Sequence, residues 1–589
     1  MKVIDVIKSL LPEGTKVKLL LKVGASEEFV QSESDMPQGY TQCPTWPPDL
    51  FAVVGSIIDR SSCYTLAGPD LGQLAKHSKY LEEVFAAAKS WDTFSEVPPA
   101  VQALWESLIS EADSTDMNQV CDKPCLTQTL LKLFAIADEA CDGIGWSVDS
   151  TSSGINELVV TSFLDQSPAA KPSLTTGDLP YLPYRPVSLC SLVRTDLAIV
   201  LPKSMTANVG CTVRSLSHHL ALLPGSTQVE PSWSIADRPD GPNGLIRILT
   251  VPFPFHIPES SFSLKHDKMK LNKFASTPGF FGLSQDWLKT GKGNEEISAE
   301  SFVTCLLIPL LENARKESGG AQIHGIVMPE CALSAKLADE VADVLKDQNI
   351  EFFITGVLKK LEEGDRNIAR TYLFSNRDEK VALMMKEQSK HHRWRIDETQ
   401  ARRYALNFPD TSRSEVGSRS KQWWESIDVS KRTLPFFAIR KDISLSVLIC
   451  EDLARADPAM SVIRAVGPNM VFALLMDGPQ LATRWPGRYA TVLADDPGSS
   501  VLTLSCIGMV DRSNWMESRP VRSIGLWRDS GGRTQELNLP HSCHGMLLTL
   551  KSRNITQNTL DNRSDLERTK KLTLVSTVPL KVAQIPDWI

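Results

Sequence analysis

Three polar residues close otherwise apolar runs in the second half of the sequence: Glu330 in GIVMPE, Lys390 in LMMKEQSK and Cys450 in LSVLIC. A strand end suits a reactive group, because the sheet fixes the side chain while the next loop opens space in front of it. The three types are complementary. A thiol with a pKa of about 8.5 is mostly protonated at neutral pH and needs a base or a positive neighbour before it can attack. A carboxylate supplies the base, and an ammonium supplies charge for an oxyanion. Singly, each has a plainer reading. Cys450 is then a small buried apolar residue, Glu330 a carboxylate facing the free N–H groups of the following helix, and Lys390 a solvated charge.

In this order, VMPECALS, the strand ending at Lys390 and VLICEDLARADP resemble the three signatures of the nitrilase superfamily of carbon–nitrogen hydrolases. The first signature is an apolar strand ending in Pro-Glu, here Pro329 and Glu330; the second is a strand ending in Lys. The third is a strand ending in Cys, then an acidic or aromatic residue, then Asp, here Cys450, Glu451 and Asp452. Lys386 competes with Lys390 for the middle place. Amidases of the family often carry a second Glu eight residues after the Lys; Glu398 stands there relative to Lys390, whereas Trp394 follows Lys386 at that distance.

The resemblance spans roughly residues 244 to 550 and implies an αββα sandwich with a Glu330, Lys390, Cys450 triad and no cofactor or metal. In that scheme Glu330 takes the thiol proton and returns it to the departing amine. Lys390 and the backbone N–H of Glu451 hold the oxyanion, and Glu398 orients substrate or water. Cys-Glu-Asp is similar to the glutamine-amide-hydrolysing branch, which favours a small-molecule amide over a nitrile. The family also implies a homodimer. Two stretches depart from the pattern and are read as insertions, 264–287 and NFPDTSRSEVGSRSKQWWES at 407–426.

Elements of the right kind surround these residues. After Gly244 apolar runs of strand length alternate with helical patterns: strands at 245–255, 323–328, 351–358, 436–450, 469–476 and 500–508, and helices at 295–317, 332–347 and 487–496. Such alternation predicts a layered α/β sandwich. Residues 1–154 have mostly helical spacing, as in PPDLFAVVGSIIDR, PPAVQALWESLIS and CLTQTLLKLFAIADEAC, which predicts a mainly helical N-terminal region. Residues 155–243 are expected to form a mixed, β-containing connection with strands at 158–164 and 197–203; the boundary to the nitrilase-like part, 244–589, is set at RPDGPNG.

The whole chain has 589 residues, 42% apolar and 23% charged, which excludes disordered and collagen-like classes and allows several domains. With 63 basic and 70 acidic residues the net charge is −7, so no global basic field exists to hold nucleic acid, and such binding would need a local patch. KHHRWR, after the candidate lysine, is one local basic and aromatic cluster; it reads either as a polar rim or as a recogniser of an acidic group or phosphate. Twelve irregularly spaced Cys, no signal-peptide pattern and no long apolar window fit a cytoplasmic protein without membrane segments.

Cys121, Cys125 and Cys141 lack the partners for a zinc set. In each of the adjacent pairs His218/His219 and His391/His392 one ring is expected to be solvated, because neighbours in a strand face opposite sides. Phosphate-loop, dinucleotide-fold and zinc-peptidase motifs are absent. A second function class stays open: a non-catalytic, nitrilase-like sensor or interaction module in a larger assembly, as in bacterial antiphage proteins that carry similar modules. Acyl transfer to an amine would use the same triad.

Overall fold

A computed structural model of the chain describes all residues except 12–15, 23–28, 36–38, 70, 92–96, 147–186, 226–227, 237–243, 266–278, 291–294, 378–379, 407, 409–421, 587 and 589. The strand expected at 158–164, almost all of RPDGPNG, and most of both insertions lie outside the described residues.

Two sheets lie face to face. In the first the strands run in the order Lys380–Ser389, Arg366–Arg377, Phe352–Lys359, Gly325–Val327, Leu245–Thr250, Gly545–Ile555, Thr569–Leu580. Its centre is parallel and its flanks antiparallel. The second sheet runs Thr534–Asn538, Ser523–Arg528, Ser500–Ser505, Met470–Leu475, Ile443–Ile449, Thr433–Arg440, Glu230–Ile235. Strand alternation sorts the side chains: Met470, Phe472 and Leu474 enter the core between the sheets, where Phe472 meets Phe352 at 6.2 Å, while Val471 and Ala473 face outward.

Helices cover both outer faces, giving the αββα layering. Ala335–Leu345, capped by the Ser334 hydroxyl, packs outside the first sheet with the helical stretch around Ile308–Glu317. That stretch passes through a π turn at Val303–Leu307 just before Pro309, whose missing N–H and bulky ring forbid a regular turn there. Met460–Val466 and Trp485–Asp495 cover the second sheet. Two expected strands end early: 245–255 stops at Thr250, ahead of Pro252 and Pro254, and Ser500–Ser505 gives way to helix Ile507–Ser513, because the chain leaves the sheet at Cys506.

Before residue 147 the described elements are the helices Val3–Leu10, Pro47–Ser61, Leu74–Lys89, Pro99–Ala112 and Pro124–Glu139, several 3-10 turns and the hairpin Lys16–Lys22/Phe29–Asp35. Three of the helices begin on Pro, which is tolerated where no N–H is needed. Their apolar faces share one continuous core with the outer side of the second sheet. Glu230–Ile235, from the expected connection, pairs parallel with Thr433–Arg440 and so belongs to that sheet.

A buried cluster of charges seals this junction. Arg563 donates to Asp138 at 3.0 Å, Glu139 at 2.6 Å and Asp561 at 3.0 Å, and Asp138 also accepts the backbone N–H groups of His218, His219 and Leu220. The solvated ring expected in the first His pair is corrected here. His218 lies between Thr206 and the Arg563 carbonyl, His219 faces Glu139, and both are buried, because Asp138 folds their backbone into the junction.

No helix among the described residues is long and apolar enough to cross a membrane. All twelve cysteines are free thiols, and no group of three or more potential metal ligands occurs among the described residues.

Candidate active site

Glu330, Lys390 and Cys450 leave three different strands of the two sheets and converge between the sheet ends. Glu330 follows Gly325–Val327, and its backbone lies hard against the next strand. A Cβ on Gly356 would stand 2.4 Å from the Glu330 Cα, so only glycine admits this approach. The Gly356 N–H holds the Pro329 carbonyl at 3.0 Å. Lys390 ends Lys380–Ser389 and is 1% exposed. Its ammonium donates to Glu330 Oε1 at 2.8 Å and to Glu425 Oε2 at 2.7 Å. Asn367 bridges the same two carboxylates at 2.7 and 3.1 Å.

Cys450 follows Ile443–Ile449 with φ of 46°, a left-handed conformation that costs a non-glycine residue about 1–3 kcal/mol and tends to persist at functional positions. It opens a 3-10 turn and is 4% exposed. Burial pushes its thiol well above the ordinary value, Glu330 pushes the same way, and Lys390 opposes them. The thiol is therefore neutral at rest and needs a base.

Glu330 can be that base. Burial raises its carboxyl pKa, Lys390 pulls it down, and the charge of Glu425 pushes it up again. Its Oε2 has no hydrogen-bond partner among the described residues, which leaves one oxygen to take a proton. At Lys390 burial disfavours the charge, but Glu330 and Glu425 outweigh it and keep the ammonium well above its ordinary range. Lys390 stays charged and Glu330 can change state, a division of labour suited to one electrostatic and one proton-moving group.

Solved structures similar to this chain include a member of the nitrilase superfamily and a carbon-nitrogen hydrolase. Nit3 of Saccharomyces cerevisiae, described as a member of branch 10 of that superfamily, is 12% identical with a TM-score of 0.28, over 53% of this chain and 92% of Nit3. A carbon-nitrogen hydrolase from Helicobacter pylori is 11% identical with a TM-score of 0.26, over 56% and 91%. A glutamine-dependent NAD(+) synthetase from Cytophaga hutchinsonii is 11% identical with a TM-score of 0.26, over 52% and 42%. No family model and no curated protein matches the sequence.

The other two expected site residues stand differently. Glu398 opens the short helix Glu398–Arg403 behind the Asp397 cap, half-buried, and takes no part in the hydrogen bonds around Lys390. The second carboxylate on Lys390 is Glu425, inside the stretch read as an insertion. Strand Gln422–Glu425 pairs with Arg395–Asp397, and the Trp394 N–H holds Glu425 Oε2 at 3.0 Å. Its signal was the alternation in QWWE, which turns Trp423 and Glu425 to the same side. The Glu451 side chain turns away to Arg455 at 2.6 Å, which leaves its backbone as the part next to Cys450.

Sequence reasoning gave no role to Asp452. It is buried, with its pKa pushed up to about 7 by burial, against the pull of the backbone N–H of His391 and neighbouring charges. It accepts those N–H groups of His391 and His392 at 3.0–3.1 Å, tying the turn after Cys450 to the turn after Lys390. Asp477 also lies beside Cys450, held by Tyr404 and by Arg484 at 2.9 Å, with Oδ2 unpartnered among the described residues.

Proposed function

We propose that the chain is a cysteine-dependent hydrolase of carbon–nitrogen bonds other than peptide bonds, with small-molecule amides preferred over nitriles. The observation that carries this reading is the buried Glu330–Lys390 pair with a free Glu330 oxygen, next to a thiol held in a left-handed turn. In the proposed cycle Glu330 accepts the Cys450 proton as the sulfur adds to the amide carbonyl carbon. The oxyanion that forms lies against the Lys390 ammonium and the Glu451 backbone N–H. The intermediate collapses to a thioester as Glu330 returns its proton to the departing amine. A water molecule, deprotonated by Glu330, then adds to the thioester, and release of the acid restores the thiol. Glu425 fixes Lys390 throughout.

Incubation with a panel of amides and mass spectrometry of the intact protein tests this: an acyl adduct on Cys450 is expected, and none in Cys450→Ala. Ammonia release by Cys450→Ala at the wild-type rate would overturn the assignment. Lys390→Ala is expected to be inactive and Lys386→Ala active, because Lys386 takes no part in the Glu330 pair.

The second reading, a non-catalytic sensor or interaction module, draws on the near-complete burial of Cys450 and on the N-terminal residues built into the core on the outer side of the second sheet. A folded protein that forms no adduct with any amide or nitrile would favour it. Pairing of two copies belongs to the same proposal, and sedimentation at micromolar concentration reads it.

A further inference from the structure

Immediately after Lys390 the chain lines a cleft of about 350 Å³ with His391, His392 and Arg393, joined by Arg432, Val429, Phe280 and Trp424. It is separate from the candidate active site for a simple geometric reason. Along Gln422–Glu425 successive side chains alternate, so Trp423 and Glu425 turn inward, Glu425 onto Lys390, while Trp424 turns outward and is 38% exposed. Trp424 stands in register with Phe280 on one side and Arg395 on the other, which lays two aromatic rings side by side on the outer face of a separate four-stranded sheet, ordered Arg395–Asp397, Gln422–Glu425, Gly279–Leu283, Phe262–Lys265.

Arg393 lies 6.0 Å from the Phe280 ring centroid with its Nε on the Ile427 carbonyl, and Arg395 lies 5.6 Å from the Trp424 ring. Among the described residues neither Arg393 nor Arg432 has a carboxylate within 4 Å. His391 is 1% exposed and makes one ring hydrogen bond, Nε2 with the Thr433 carbonyl at 2.9 Å. Its Nδ1 is unpartnered, the nearest carboxylate being Asp452 at 3.8 Å. In a chain of net charge −7, a cleft lined by two arginines with no carboxylate partner among the described residues, two histidines and two aromatic rings is a local exception.

We propose that this cleft binds a nucleoside phosphate. The size suits one small ligand. Guanidinium groups match phosphate oxygens two at a time, and the exposed Trp424 ring, beside the half-buried Phe280, offers a face on which a heterocycle stacks. A phosphate alone would leave the aromatic wall unused, and an uncharged nucleoside would leave the guanidiniums unpaired. The site is independent of the triad chemistry and stands whether or not the hydrolase reading holds.

Calorimetric titration of the full-length protein with AMP, adenosine and inorganic phosphate tests it. AMP is expected to bind with a Kd below about 100 μM, and adenosine and phosphate each at least about tenfold more weakly. Arg432→Gln and Arg393→Gln are each expected to weaken AMP about tenfold or more, Arg432→Lys less than Arg432→Gln, and Trp424→Ala to weaken AMP but not phosphate. Thermal unfolding of each variant shows whether it is folded. No AMP binding at about 1 mM, phosphate binding as tight as AMP, or folded Arg432→Gln and Arg393→Gln variants that bind AMP like the wild type would overturn the proposal.

Discussion

Two buried clusters of charge lie in this molecule, and they are built to opposite specifications. At the N-terminal junction Arg563 is completely buried among Asp138, Glu139 and Asp561, and no side-chain atom of these four is unpartnered. Burial works against the charges of Asp138 and Glu139, but Arg563 and His219 overcome it and hold both carboxyls below their ordinary range. Between the sheets the balance runs the other way. The Glu330 carboxyl and the Cys450 thiol are both raised, and Glu330 Oε2, Asn367 Oδ1 and Asp477 Oδ2 lack partners among the described residues. A satisfied cluster is a lock. A cluster left short of hydrogen bonds retains capacity for a reacting partner, which is what a site for chemistry requires.

The contrast can be broken by substitution. Cys450→Ala is expected to lower amide turnover by roughly 10⁴-fold or more with an unchanged unfolding midpoint, read by ammonia release and calorimetry. Glu330→Gln should lose the acyl adduct while changing stability by no more than about 1 kcal/mol, since the glutamine carbonyl still accepts from Lys390, which keeps Glu425 as its counter-ion. Arg563→Met reverses the pattern: three carboxylates are left buried without their cation, at a cost of about 3–5 kcal/mol in urea unfolding, and Cys450 chemistry in the protein that remains folded is little altered. If Arg563→Met proved as stable as wild type, the lock reading would fail.

Gly356→Ala probes the support beneath Glu330. The added methyl must push the Glu330 backbone away, and a displacement of about 1 Å lowers kcat by roughly 10²-fold, with binding of an amide inhibitor less affected. The smallest effect concerns pH. Asp452 titrates at about 7 in the fold against 3.8 ordinarily, so the fold holds its proton more tightly than the unfolded chain does. Its contribution is fully present below the unfolded value and is lost as pH rises through about 7. Between about pH 5 and pH 7.5 the wild-type Tm should therefore fall by about 2–4 °C relative to Asp452→Asn.

The legible parts of this molecule were those written locally. Strand-terminal Glu330, Lys390 and Cys450 stood out because each ends an apolar run, and the alternating runs after Gly244 correspond to paired strands, though those expected at 245–255 and 500–508 stop at Thr250 and Ser505. Glu425 did not, because its place beside Lys390 comes from a strand pairing across a segment read as an insertion. Glu398 matched a spacing, but the Asp397 cap turns that position into a helix start. Asp452 was seen as a motif letter, while its work, holding two N–H groups of another loop, exists only in three dimensions. The His218/His219 pair misled for the same reason, since Asp138 lies about 80 residues away in sequence.

Strand Glu230–Ile235 has a practical consequence for anyone wishing to cut the chain. The Pro- and Gly-rich stretch before Gly244 invites expression of the C-terminal part alone. Such a fragment would leave Thr433–Arg440 as a long open edge with Leu434, Phe436 and Ala438 facing water, a template for strand-to-strand aggregation. Limited proteolysis near that stretch should yield two pieces that stay together until denaturant is added, because the backbone ladder and the shared core outlast the peptide bond.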